Sequence, residues 1–299
     1  MPIRCLTQNV MMLPGPGGEQ RGRDLVAAIL KASPRYDVLC LQEVFDEDIR
    51  RILSRGLYAD FPHRVIKCDD GDLFQEDSGL FFASRYPIHA AEEQWGAKRR
   101  GWGFEEFEES SGFTTGDYWA DKGIFGARLN LGTVAAGAQL LVFNTHLQSD
   151  PDTVGQYREV RAAQLRQIRT FVARACARLP NKAATAALLF GDMNVAGETD
   201  EHAAMLTRLG GPRDLFRERS QDPGYTWDGT SNQRIPADDR DRLRLDYILA
   251  FDRIPDVGNP AFTGNLRPCR CLAAAVEQFG TTAKTRLSDH FGVSVTVEL

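Results

Sequence analysis

The sequence predicts a layered α/β domain, and three observations carry that prediction. Short apolar runs of strand type recur along the chain, helical patterns lie between several of them, and polar residues interrupt the strands at their ends. Ile3–Val10 reads as the first strand, followed by a helical stretch over Asp24–Ala32. Asp37–Val44 is the second strand and Asp46–Arg55 a second short helix. Gly79–Ala83, Ile124–Leu131 and Gln139–Thr145 are further strands. The clearest helix begins after Gly155, where Val160, Leu165, Ile168, Val172 and Leu179 share one face at spacings near 3 and 4. Arg158, Arg161, Arg166, Arg169, Arg174 and Arg178 decorate the rest of it and read as a solvated face. Ala186–Gly191, Leu243–Ala250 and Val293–Leu299 complete the strands.

Composition narrows the class. Hydrophobic residues make up 42% of the 299 positions and charged residues 26%, which excludes intrinsic disorder and supplies a sizeable core. A prior of about 150 residues per domain allows one large domain or two small ones. No repeat, low-complexity stretch or linker divides the chain, so one catalytic-type domain over residues 1–299 is expected. No apolar run approaches the roughly 18 residues of a membrane helix. The start lacks the basic-then-apolar layout of a secretory signal, so the expectation is a protein that stays inside, or one whose leader has been removed. The net charge of −5 argues against a protein that lives on phosphate-backbone attraction. Cys5 and Cys40 read as buried thiols, and Cys269 with Cys271 has no second ligand pair to complete a zinc pattern.

Chemistry concentrates at the strand ends. Asn9, Glu43, His146, Asp192 and Asn194 each fall at the carboxyl end of an apolar strand, the edge where open α/β sheets bind ligands. Asp289 and His290 immediately precede the last strand, so an antiparallel last strand delivers them to the same edge. Asp246 interrupts the strand Leu245-Asp246-Tyr247-Ile248-Leu249, and a buried carboxylate there needs a partner such as a histidine. Glu43, Asp192, Asp289 and Asn9 offer hard oxygen ligands of the kind that suit Mg²⁺, Mn²⁺ or Ca²⁺. Two histidines on one edge supply a general base and a general acid. Together this is equipment for attack of water on a phosphodiester. Each residue alone also has a structural reading, as turn, cap, ion-pair partner or satisfied histidine; the coincidence of all of them at strand ends favours catalysis.

The motifs Gln42-Glu43-Val44, Thr145-His146-Leu147, Gly191-Asp192-Met193-Asn194, Leu245-Asp246-Tyr247 and Ser288-Asp289-His290 occur in the order seen in the endonuclease/exonuclease/phosphatase superfamily, which this chain resembles from Asn9 to Leu299. The resemblance implies a four-layer α/β/β/α sandwich of two mixed β-sheets, deoxyribonuclease-like, with one metal-dependent site between the sheet edges. Fold alone leaves the substrate open. Within the superfamily the chain is similar to bacterial neutral sphingomyelinases, through Glu43-Val44-Phe45-Asp46, Asp121-Lys122-Gly123, Thr145-His146-Leu147-Gln148, the stretch from Arg161 to Ile168, Gly191 to Val195, and Tyr225-Thr226-Trp227-Asp228. That likeness implies that Asn9 and Glu43 hold Mg²⁺ or Mn²⁺, with Asp192, Asn194, Asp289 and His290 completing the central site. It makes His290, oriented by Asp246, the general base and His146 the acid that protonates the leaving alkoxide. Lys122 would stand near the phosphoryl oxygens. A second, edge site for an ion such as Ca²⁺ maps onto Glu76, Asp77 and, less cleanly, Glu47, where those sphingomyelinases carry asparagine.

The residues suggest a lipid-like substrate independently. Trp95, Trp102, Phe104, Phe107, Phe113, Tyr118 and Trp119 fall within 25 positions, interspersed with Gly96, Gly101, Gly103, Gly112 and Gly116. Such a segment suits insertion at a lipid interface or a box around a quaternary ammonium; the other reading is a hydrophobic loop folded onto the sheet. Its acidic run Glu105-Glu106-Phe107-Glu108-Glu109 matches a zwitterionic surface better than an anionic one. Together with the resemblance to neutral sphingomyelinases, which implies the headgroup, this makes the expected substrate a choline-type phospholipid, sphingomyelin, at a membrane surface. The rivals are a nuclease on the same fold, supported by Lys98-Arg99-Arg100 and the arginine helix, and a catalytically silent member that binds membrane or protein.

Overall fold

In the computed structural model the described residues are 2–68, 77–90, 95, 101–109, 121–132, 136–150, 155–280 and 286–299. The N-terminal half supplies β1 (Ile3–Met12), α1 (Gly18–Lys31), β2 (Val38–Val44), α2 (Glu47–Gly56), β3 (His63–Val65), β4 (Phe81–Ser84), β5 (Trp102–Glu106), β6 (Gly123–Asn130) and β7 (Gln139–His146). After these come α3 (Arg158–Ala177), β8 (Thr185–Asp192), α4 (Asp200–Arg208), β9 (Arg213–Asp214) and α5 (Leu215–Arg219). The chain closes with β10 (Trp227–Asp228), β11 (Arg242–Leu243), β12 (Asp246–Phe251), β13 (Arg270–Glu277) and β14 (Gly292–Glu298). No helix among the described residues is long and apolar enough to cross a membrane.

Two six-stranded sheets result, ordered β13-β14-β1-β2-β4-β3 and β5-β6-β7-β8-β12-β9. Each is mixed, with one parallel pair at its centre: β1 with β2, and β7 with β8. The period-two alternation of the strands builds three apolar layers from this pairing. Ile3 and Cys5 of β1 meet Leu188 and Phe190 of β8 in the core between the sheets. Leu6 and Val10 turn the other way, onto Leu25 and Ile29 of α1 and Ile49 and Leu53 of α2. Ala187 and Leu189 of β8 face Leu165, Ile168 and Val172 of α3. The order helix, sheet, sheet, helix is the expected four-layer α/β/β/α sandwich.

Several elements depart from the sequence reading for identifiable reasons. Helix α1 starts at Gly18 rather than Asp24, because glycine lets it close on α2: a Cβ at Gly18 would stand 2.7 Å from Ile49 Cδ1. The alanine-rich β13 has no strand propensity of its own and forms as an edge strand by pairing with β14. Asp246 opens β12 rather than interrupting it, since Arg242–Leu243 pair separately with β10.

The arginine helix is not a solvated face throughout. Arg161 is fully buried and bonds Asp150 Oδ1 at 2.8 Å, Glu201 Oε1 at 2.9 Å and the Gln148 carbonyl at 3.1 Å. The aromatic segment also differs from a free loop: β5 runs through it, paired with β6. Trp102 packs on Phe125 with ring centroids 6.1 Å apart, Trp95 stacks on Phe171 at 5.7 Å, and Phe107 is buried. For these residues the reading that holds is the loop folded onto the sheet; Phe113, Tyr118 and Trp119 lie outside the described residues. All six cysteines are buried and free, as read from the sequence for Cys5 and Cys40.

Candidate active site

The parallel pairs of the two sheets end at one edge, and the side chains singled out in the sequence converge there. In register, His146 at the end of β7 lies beside Asp192 at the end of β8, and Asp192 lies beside Asp246 at the start of β12. These three come from one sheet; Asn9, Glu43 and the Asp289-His290 pair come from the other. The packing of β7 on β8 is tight enough that a Cβ at Gly191 would stand 2.2 Å from the Thr145 carbonyl oxygen.

Asp192 Oδ2 is the centre of the arrangement. It lies 3.6 Å from His146 Nε2 and 3.6 Å from His290 Nε2, and accepts from Asn9 Nδ2 at 3.1 Å. His290 is fixed from behind by Asp246, whose Oδ2 is 2.9 Å from Nδ1. Burial works against a charged imidazole, but Asp246, Asp192 and Asp289 outweigh it and hold the His290 pKa well above its ordinary value. The His290 and Trp227 rings meet in a T-shaped contact with centroids 5.2 Å apart.

Asn9 Nδ2 also donates to Glu43 Oε1 at 2.7 Å, while its oxygen accepts from the Met11 amide at 3.1 Å. Asn9 therefore presents nitrogen, not oxygen, to the carboxylates, and a ligand role requires the amide to turn over at the expense of the Met11 bond. Burial and the neighbouring Asp289 carboxylate push the Glu43 pKa up to about 7, against the opposing Asn9 bond. Three non-glycine residues here have left-handed backbone: Met11 (φ 48°), Glu43 (φ 58°) and Asn194 (φ 48°). Strain of that kind is costly and persists only where the surroundings over-determine it. For Asn194 the constraints are visible: its amide N–H donates to Asp192 Oδ1 at 3.0 Å and its side chain to the Leu147 carbonyl at 2.9 Å. Lys122 Nζ donates to that same carbonyl at 2.9 Å and lies 3.3 Å from His146 Nε2.

Among the described residues, Asp192, Asp246 and His290 form a group whose potential ligand atoms lie within 4.8 Å of one another. Glu43, Asn194 and Asp289 line the same cleft of about 640 Å³. The donors are carboxylate and amide oxygens with imidazole nitrogen. That combination suits a hard divalent cation.

Of the residues expected at the edge site, Glu47 and Asp77 both pair with Arg50. Arg50, buried on α2, places Nη1 2.8 Å from Glu47 Oε1 and 2.5 Å from Asp77 Oδ2. Asp77 also accepts from the Gly79 amide at 2.9 Å. Glu76 lies outside the described residues, as do Lys98, Arg99 and Arg100.

Sequence reasoning missed the β10–β11 arm that forms one wall of the cleft. Trp227, Asp238, Asp239, Asp241 and Leu243 line it, and Trp227 Nε1 donates to Asp239 Oδ2 at 3.0 Å. The motif Tyr225-Thr226-Trp227-Asp228 was a visible signal, but a signal of kinship without an assigned role.

This geometry has counterparts. The chain is similar to an uncharacterized protein of Dictyostelium discoideum, 31% identical over 186 residues that make up 58% of this chain and 15% of that one. It is similar to Sphingomyelinase C 2 of Leptospira interrogans, 28% identical over 268 residues, covering 83% of this chain and 39% of the relative. The chain thus spans well under half the length of these curated relatives. Among solved structures, Sphingomyelinase C from Streptomyces griseocarneus superposes with a TM-score of 0.69 at 25% identity, over 99% of each chain. A Staphylococcus aureus beta toxin variant with bound magnesium ions gives 0.70 at 20% identity, again over 99% of each. Danio rerio TDP2, complexed with a single-strand DNA product, gives 0.67 at 18% identity over 100% of this chain and 99% of the other. The last two likenesses speak to the fold alone. The model of the Endonuclease/Exonuclease/phosphatase family matches residues 6–290, nearly the whole sequence and every motif at the cleft, and the chain belongs to that family.

Proposed function

We propose that this chain is a single-domain, metal-dependent phosphodiesterase that hydrolyses a choline-type phospholipid, sphingomyelin, releasing phosphocholine at a membrane surface. The observation that carries the reaction class is the placing of two histidine Nε2 atoms at 3.6 Å from one Asp192 oxygen, one of them backed by a buried carboxylate. Such a pair serves proton removal and proton delivery on opposite sides of one reacting phosphorus. The substrate rests on the similarity to proteins named as sphingomyelinases.

In this reading Glu43, Asp192 and Asp289, with Asn194, would hold Mg²⁺ or Mn²⁺, which when bound would polarise the phosphoryl oxygens and offset the carboxylate charge; His290, whose Nδ1 is taken by Asp246, is kept for proton transfer. The magnesium of the beta toxin structure agrees with that choice of ion. The cation would offset the Asp192 and Asp289 charge that favours a protonated His290; His290 then takes the proton of the attacking water through Nε2, while Asp246 fixes its tautomer through Nδ1. His146 delivers a proton to the departing alkoxide. Lys122, beside His146 Nε2, adds positive charge on the leaving-group side. Asn9 brackets Glu43 and Asp192 with its two amide protons, which holds two like charges at a fixed spacing.

The test is a panel of sphingomyelin, lysophospholipid, phosphoinositide and plasmid DNA, each with and without EDTA. The expected result is release of phosphocholine from sphingomyelin, abolished by chelation and restored by Mg²⁺ or Mn²⁺. Cleavage of DNA without sphingomyelin hydrolysis replaces the lipid reading with a nuclease, and full activity in excess EDTA overturns the metal-dependent mechanism.

A further inference from the structure

The machinery assigned so far leaves the β10–β11 arm without a purpose, yet this arm touches both members of the histidine–carboxylate pair. Thr226 Oγ1 accepts the amide N–H groups of Leu245 at 3.0 Å and Asp246 at 3.3 Å, and the Thr226 carbonyl accepts the Phe291 amide at 2.7 Å. Trp227 meets the His290 ring in a T-shaped contact. Asn232, buried at 3% exposure, spends both amide protons on the strand leading into β14: Nδ2 donates to the Ser288 carbonyl at 3.0 Å and to the Asp289 carbonyl at 2.7 Å. Its oxygen accepts the Arg234 amide at 3.1 Å, so the side chain has no freedom to turn.

We infer that Asn232 is a positioning residue, which sets the His290 imidazole against Asp246 by clamping the Ser288–Asp289 backbone to the arm. From the opposite side, Gln8 Nε2 donates to the His290 carbonyl at 3.2 Å and Ser288 Oγ to the Asn9 carbonyl at 2.8 Å. The tripeptide Ser288-Asp289-His290 is therefore held between β1 and the arm, and Asn232 donates two side-chain hydrogen bonds to it from the arm side. Removing its donors leaves two carbonyls without these partners and frees the backbone that aims Nδ1. A displacement of the order of 1 Å at a proton-transfer group costs about 10²-fold in rate, and the two-donor geometry allows no substitute among the standard side chains at that reach.

The inference rests on the reading of His290 as the base, and the experiment separates the two. Asn232→Asp keeps the shape and loses both donors; Asn232→Ala removes the side chain. Turnover of bis-p-nitrophenyl phosphate with Mg²⁺ is measured beside the downfield Nδ1 proton resonance of His290 in the metal-free protein. The expected result is a fall in kcat of about 10–100-fold with KM unchanged, and a broadened or shifted Nδ1 proton signal, in variants that melt as cooperatively as the wild type. If His290→Ala is inactive while both Asn232 variants keep kcat and an unaltered Nδ1 signal, the inference fails and the base assignment stands. If His290→Ala retains full activity, the base assignment itself fails. Should Asn232→Ala not fold, the isosteric Asn232→Asp decides alone.

Discussion

Replacing Arg161 with methionine distinguishes the buried arginine of the structure from the solvated helix face expected of the sequence. Were the side chain solvated, the change would stay within about 0.5 kcal/mol. In the structure the guanidinium is 0% exposed, and its partners Asp150 and Glu201 are 9% and 14% exposed. Deleting one member of such a buried network strands the other charges and costs about 3–5 kcal/mol. For a chain of this size each kcal/mol lowers Tm by about 1.6 °C, so the expected loss is about 5–8 °C. Urea and thermal unfolding followed by circular dichroism measure it, with exposed Arg166→Met on the same helix as the control. Adding Asp150→Asn and Glu201→Gln to the Arg161→Met background should recover part of the loss, because the stranded charges disappear. Activity should fall with stability: Asp150 accepts the amides of Gly155 at 2.6 Å and Tyr157 at 2.7 Å, and so fixes the segment that follows His146. A cost below about 1 kcal/mol, or equal costs at Arg161 and Arg166, would refute the reasoning.

Glu43→Gln should retain the wild-type melting temperature and lose hydrolysis, because the amide keeps the shape and removes a charged donor; undiminished turnover excludes Glu43 from the ion site. His290→Ala and His146→Ala should each lose on the order of 10²–10⁴ in rate on an alkoxide-releasing substrate, and an activated p-nitrophenolate leaving group should rescue only the His146 variant appreciably; equal rescue reverses the roles. For Asp214, burial alone would raise the pKa, but His202 and Arg244 outweigh it and hold the carboxyl below its ordinary range. The stabilisation is therefore present above that range and fades as pH falls through the folded-state value, so the stability gap between wild type and Asp214→Asn should be wide at pH 7 and close in acid; a pH-independent gap contradicts it. Trp102→Ala should lower Tm and reduce turnover of vesicles and of a soluble diester alike, since Trp102 packs on Phe125; a defect confined to vesicles restores the interfacial reading.

What was legible in the sequence was whatever repeats with a simple period or stops abruptly. The two-sheet sandwich follows from apolar runs that end in polar residues, and the convergence of His146, Asp192, Asp246 and His290 follows because the ends of the parallel strands β7 and β8 share an edge with the starts of the antiparallel strands β12 and β14. What was hidden depends on partners far along the chain. Arg161 looks like its helical neighbours until Asp150 and Glu201 close around it. Trp102 and Phe104 sit among glycines that suggest a loop, and only the ladder to β6 makes them a strand. Arg50 is one helical arginine among several until Glu47 and Asp77 meet on it. Asn232 was invisible for the same reason: its bonding partners are 56 and 57 residues away in sequence.

The division of the catalytic set between the sheets makes the cleft a gauge of their alignment. His290 enters from the sheet built by β1, β2 and β14, whereas Asp246, 2.9 Å away, belongs to the sheet built by β7, β8 and β12. Neither sheet alone holds the His290–Asp246 pair, so a chain in which each has formed separately still lacks it. During refolding, secondary structure should therefore return before turnover does, and the lag between them times the docking of two preformed halves. The same logic applies to evolution: substitutions that let one sheet slide over the other by a fraction of a residue are silent in composition and pattern, yet selection on activity would see them at once.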